Sequence, residues 1–159
     1  MNLEAGKLTE IQAKEISNWK YDGDYSIYNL PSWETMLQEK YSLSDDAKRE
    51  RYISYVNENS ELVGFVHLLD GADSVFFGIG VNPNVCGIGI GKLITKMALI
   101  EIQNRVPNKP VVLEVRTWNK RAVCCYKSQG FEIIATKQQE TKLGFGEFYV
   151  MKYNSSQKL

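Results

Sequence analysis

Between Val81 and Lys92 the chain reads Val-Asn-Pro-Asn-Val-Cys-Gly-Ile-Gly-Ile-Gly-Lys, a spacing suited to holding phosphate. Gly87, Gly89 and Gly91 let the backbone approach a ligand with no Cβ in the way. The unpaired N–H groups of a following helix, at the positive end of its dipole, then favour an anion. Two familiar phosphate loops are excluded. A Walker A loop needs glycine where Cys86 stands and Ser or Thr where Leu93 stands, and a GxGxxG fingerprint beginning at Gly87 needs glycine where Lys92 stands. A pyrophosphate cradle of another kind survives, beside the plain alternative that the glycines only turn the chain.

Other side chains invite proton-transfer chemistry. Tyr126 could donate a proton from its phenol, and Glu114 or the one histidine, His67, could accept one. Each has an ordinary counterpart: a helix tyrosine packed in the core, a strand carboxylate at the surface or in an ion pair, a structural histidine. Cys86, Cys124 and Cys125 form no CxxC and no Cys/His ligand spacing, so neither zinc nor a disulfide framework is expected. Acyl transfer through Cys124 or Cys125 would need a His or acid partner that the sequence does not supply, and simple packing explains both better.

The elements that must position these groups can be read from periodicity. Leu8, Ile11 and Ile16 suggest a helix over 8–18, and Pro31 suits the first turn of another near 32–40. The run at 42–51 reads as a solvated connection. Short runs rich in β-branched and aromatic residues at 52–56, 62–69 and 74–81, divided by polar turns, predict an antiparallel meander. From Gly87 the period turns helical, with Ile90, Leu93, Ile94 and Met97 on one face, until Pro107 and Pro110. A strand follows at 111–116. A helix capped by Asn119 and stopped by Gly130 comes next, then a hairpin of strands near 131–140 and 146–153. Gly78 and Gly80 suggest a bulge that would splay their strand from 111–116. The order predicts an α/β protein, an α+β mixed sheet with one βαβ crossover.

The chain has 159 residues, 43% hydrophobic and 24% charged, with Lys plus Arg and Asp plus Glu at 19 each. That suits one domain over 1–159 with a core of its own. The charge balance argues against nucleic acid or an anionic membrane as partner. No apolar leader and no run of about 18 apolar residues is evident, so a cytoplasmic location is expected.

Two stretches together resemble a known family. Cys86, Gly89 and Gly91, approached through Val81-Asn-Pro83, are similar to motif A of the GNAT superfamily, Q/R-x-x-G-x-G/A, with Cys86 in place of the usual Gln or Arg. Asn119, Ala122, Tyr126, Gly130 and Phe131 resemble its motif B, N-x-x-A-x-x-x-Y-x-x-x-G-F. The resemblance is firm over about 60–155 and looser before it. There the aromatic stretch from Trp19 to Tyr28 is similar to a segment of some bacterial members; with Asp22 and Asp24 it could receive a cationic amine, or simply pack.

The resemblance implies a GNAT fold of about seven strands and four helices. It also implies acetyl-CoA as cosubstrate, no metal, and acetyl transfer to a primary amine of a small molecule or peptide. Gly87, Ile88, Gly89, Ile90, Gly91 and Lys92 would hold the pyrophosphate, and Ile79, Gly80 and Val81 would pair with the pantetheine amides. An N–H near Val81 would face the oxyanion. Asn119 would bond the pantetheine arm or the adenosine side, and Tyr126 would protonate the leaving thiolate. Leu113-Glu-Val-Arg-Thr-Trp-Asn119 resembles the LEVR-x-x-N segment of ribosomal-protein alanine N-acetyltransferases, in which the glutamate helps deprotonate the amine. Glu114 is the corresponding candidate base, and deprotonation relayed by water is the alternative. An N-terminal protein acetyltransferase, or a domain that binds acyl-CoA as a sensor without turnover, are the rival functions. A homodimer is compatible with the family.

Overall fold

A computed structural model describes residues 2–153. Its strands are β1 (Glu4–Lys7), β2 (Tyr52–Val56), β3 (Leu62–Asp70), β4 (Val75–Val81), β5 (Val111–Arg116), β6 (Phe131–Thr141) and β7 (Gly144–Tyr153). Its α-helices are α1 (Glu10–Ser17), α2 (Trp33–Gln38), α3 (Ile90–Arg105) and α4 (Lys120–Ser128), and short 3-10 turns complete it. Hydrogen-bonded neighbours run β1-β2-β3-β4-β5-β7-β6, a mixed sheet because β4 and β5 are parallel while β5, β7 and β6 are antiparallel. This is the predicted α/β layout. The described residues form two compact units, residues 2–66 with 80–90 and residues 67–79 with 91–153.

In the first unit, the helices owe their ends to local chemistry. Thr9 and Gln12 form a reciprocal capping box at α1, with each side chain bonded to the other's backbone N–H at 3.1 and 3.0 Å. Ser32 caps α2 through the N–H of Thr35, and Lys40, at φ +60°, turns the chain so that Tyr41 N–H reaches the Met36 carbonyl. The core joins Leu8, Ala13, Ile16, Trp19, Met36, Leu43, Tyr52 and Leu62. Two expectations change here. A strand at Glu4–Lys7, antiparallel to β2, was not expected, since its residues are all exposed and carry no alternation. The stretch at 42–51 is not a solvated connection. It makes two 3-10 turns that bury Leu43, Ser44 and Arg49, and the Arg49 guanidinium donates to the Leu43 carbonyl and to Asp46.

In the second unit, α3 buries Ile94, Thr95, Ala98, Leu99 and Ile102, a stripe that turns slightly from the predicted face. Helix α4 begins at Asn119, whose side-chain oxygen accepts from Ala122 N–H, and ends at Gly130 with φ +102°. Strand β5 buries Val111, Leu113 and Val115 on one face and turns Val112, Glu114 and Arg116 to the other. Its parallel register with β4 joins Val75 to Val111 and Phe76 to Val112. With β7 it stays in register throughout, from Val111↔Tyr153 to Arg116↔Phe148. The β6–β7 hairpin carries a register shift between Ile133 and Ala135 and closes over Gly144 at φ +98°.

Candidate active site

The glycine turn lies in the first unit. Gly87 and Gly89 adopt φ of +85° and +88°, the left-handed region that side-chain-bearing residues avoid. A Cβ built on either would have no neighbour within 4 Å, so no part of the protein demands glycine there on grounds of space. What demands it is the backbone conformation, and the open space is what a phosphate cradle requires. Upstream, Asn82 fixes the turn: its side chain donates to the Leu62 carbonyl at 3.1 Å and accepts from Asn84 N–H at 2.9 Å. The helix starts at Ile90 rather than Gly87, because the left-handed backbone at Gly87 and again at Gly89 cannot be part of a right-handed helix.

Cys86 occupies the position of the usual Gln or Arg. Its thiol is directed at the turn's own carbonyls, Asn82 at 3.5 Å and Val81 at 3.8 Å. It braces the loop from within. The Val81 carbonyl also accepts a 2.6 Å hydrogen bond from the Tyr21 hydroxyl, which ties the N-terminal aromatic segment to the end of β4. Sequence reasoning missed this link, because nothing in the run of tyrosines says which strand one of them will meet. Gly80 has its own reason to be glycine: a Cβ there would collide with Cε1 of Phe65, whose ring lies against Trp19 and Tyr52.

The second unit holds the remaining candidates. Gly91 and Lys92 form the first turn of α3, and the buried Thr95 hydroxyl donates to the Gly91 carbonyl at 2.7 Å. Tyr126 is 8% exposed. Its ring meets Phe77 edge-on at 6.3 Å and Phe131 at 5.8 Å, so the orientation of the phenol is set by aromatic packing rather than by flexible neighbours. Asn119 is buried, and its Oδ1 is already engaged as the cap of α4. Burial pushes the Cys125 thiol above its usual range, against opposing contributions from a hydrogen bond with Thr95 and the Lys92 charge. A thiol held protonated is a poor nucleophile, which agrees with packing as its role. His67 lies in β3 and meets the Gly78 position with its Cβ. Among the described residues no His, Cys, Asp and Glu cluster could hold a metal ion.

Glu114 is ion-paired with Lys137, reaching over β7 to β6. A strand carboxylate in an ion pair fits the ordinary reading, and a base must exchange that ammonium for the substrate amine. The two roles predict different results. If Glu114 takes the amine proton, Glu114→Gln should lower turnover by about 10²–10⁴-fold and displace the acidic limb of the pH–rate profile. If the carboxylate only pairs, stability should move by about 1 kcal/mol or less, with rate and profile unchanged in the folded variant.

These features coincide with one family. The family model described as acetyltransferase (GNAT) family matches residues 13–131, and the chain belongs to that family. Among solved structures, the acetyltransferase (GNAT family) from Bacillus anthracis aligns at a TM-score of 0.82 and 12% identity, over 99% of this chain and 97% of that one. A spermidine N-acetyltransferase SpeG chimera from Vibrio cholerae and hSSAT aligns at 0.77 and 20%, over 97% and 96%. The ribosomal-protein-S18-alanine N-acetyltransferase from Escherichia coli aligns at 0.67 and 17%, over 99% and 100%. At these identities the likeness concerns the fold. Among curated proteins none matches the sequence. No helix among the described residues is long and apolar enough to cross a membrane.

Proposed function

We propose that this protein is one domain that transfers the acetyl group of acetyl-CoA directly to the primary amine of a small molecule. The observation that carries the reading is the turn at Gly87–Gly89. Its backbone is left-handed at both glycines, a Cβ on either would meet nothing within 4 Å, and a 16-residue helix follows in the chain from Ile90. Such a turn favours an extended dianion over any neutral ligand. Gly87 through Lys92 would hold the pyrophosphate, the backbone of Ile79–Val81 would pair with the pantetheine amides, and Asn119 would contribute beside its capping bond.

The chemistry then assigns the remaining groups. The amine nitrogen attacks the thioester carbonyl carbon, and an oxyanion forms that an N–H near Val81 stabilises. The C–N bond forms, the C–S bond breaks, and coenzyme A leaves as a thiolate that takes a proton from the Tyr126 hydroxyl. The proton lost by the amine goes to Glu114 or to water. The Leu113–Asn119 stretch supports a second reading, acetylation of a protein N-terminus.

The test has two parts. Acetyl-CoA at a hundredfold excess over its dissociation constant should add about 2.7 kcal/mol of stability and raise the melting temperature. A panel of small amines, polyamines and N-terminal peptides should then reveal turnover. A flat thermal response at saturating acetyl-CoA overturns the reading. A clear shift with no turnover on any amine would favour an acyl-CoA sensor instead.

A further inference from the structure

Arg116 ends β5 on the same face as Glu114, two residues along the strand and so about 6–7 Å away along the backbone. Its guanidinium lies over the Phe148 ring at 4.8 Å. Directly beside it is Gly146, where a Cβ would collide with Nη1 of Arg116 and come within 2.9 Å of the Phe148 ring. Phe148 is the cross-strand partner of Arg116, and Lys137 is the partner of Phe148 on the next strand. The Arg116 cation is therefore held in place by a ring and a bare stretch of backbone. Among the described residues no carboxylate pairs with it.

The charges on this face do not balance. Glu114 is matched by Lys137, which leaves Arg116 as a surplus positive charge whose fork of donors has no carboxylate partner among the described residues. A planar guanidinium, stacked and oriented, is the group best shaped to take a carboxylate in two parallel hydrogen bonds. A polyamine would meet repulsion at the same place.

We propose that Arg116 binds a carboxylate of the acceptor, and that the substrate is a small amino acid whose amine reaches Glu114 while its acid group lies on Arg116. This rests on the acetyl-transfer reading and narrows it to one substrate class. It makes Arg116 the residue that selects an amino acid over a polyamine.

The experiment compares paired acceptors, the twenty common L-amino acids and γ-aminobutyrate, each beside its carboxamide, with spermidine and an alanine-initiated peptide amide alongside. Coenzyme A release gives kcat/KM for the wild type, Arg116→Gln and Arg116→Lys. For the best pair the wild type should favour the acid by about ten- to a hundredfold. The amide's amine is the weaker base and is freer at neutral pH, so the comparison is biased against this result. Arg116→Gln should bring the ratio near one, and Arg116→Lys should restore part of it. The proposal is overturned if acid and amide react alike in the wild type, or if the preference survives in Arg116→Gln. It is also overturned if only spermidine or the peptide is acetylated, an outcome that leaves acetyl transfer standing. No turnover on any acceptor, with no stabilisation by acetyl-CoA, removes the acetyl-transfer reading and this proposal with it.

Discussion

Tyr126→Phe should keep coenzyme A affinity near wild type and lower turnover by about 10²–10⁴-fold, the range for losing one positioned acid. Affinity should survive because the ring survives. Tyr126 is held by Phe77 and Phe131 through its edges and faces, and phenylalanine makes the same contacts. Only the hydroxyl is lost. The deficit should shrink with an acyl donor whose leaving thiol has a lower pKa, since a better leaving group needs less protonation. A packing role would penalise every donor alike. Steady-state rates for two acyl donors, with circular dichroism to show that the variant is folded, decide the matter. Full activity with acetyl-CoA in the folded Phe variant would end the acid role.

Gly89→Val should abolish measurable coenzyme A binding in a protein that remains folded. At φ +88° a β-branched residue is strained by more than the roughly 1–2 kcal/mol that any L-residue pays in the left-handed region. The turn must relax to another backbone shape, and its N–H groups then point elsewhere. Losing two charge-assisted bonds to phosphate, each worth about 1.5–3 kcal/mol, weakens binding by a hundredfold or more. The domain should tolerate this, because Gly89 is exposed and a Cβ added there meets nothing within 4 Å. Calorimetry on the folded variant is the check. Wild-type affinity there would remove the phosphate-cradle assignment.

Most of the fold could be read from the sequence because its signals are local. β2 falls where its run of β-branched and aromatic residues placed it, β5 falls where a strand was expected after Pro107 and Pro110, and Asn119 and Gly130 bound α4 as cap and stop. What stayed hidden depends on partners that residue type and periodicity do not name. Glu4–Lys7 is a strand only because β2 offers it an edge. The buried Arg49 looks like one more surface charge in a polar run until the Leu43 carbonyl and Asp46 are placed around its guanidinium. The same division holds for the site. The glycine spacing announced the turn, since left-handed backbone leaves a mark in residue type. The Tyr21 bond to Val81 and the Arg116–Phe148–Gly146 stack leave no such mark, because nothing in a tyrosine or an arginine says which strand it will meet.

The ring of Phe65, lying where a Cβ of residue 80 would stand, couples the two positions, so the order in which they could change matters. Neither position is free to drift alone. An alanine at 80 is harmful while 65 is aromatic, and a smaller residue at 65 opens a hole beside Trp19 and Tyr52 while 80 stays glycine. Lineages that have passed through the second change could accept the first, and afterwards could not easily return. The residue at 80 of such a lineage, placed alone beside Phe65, would clash, though each parent is sound. A graft of the β4 strand of one relative into another should therefore bring position 65 of β3 with it, the two behaving as a single inherited character.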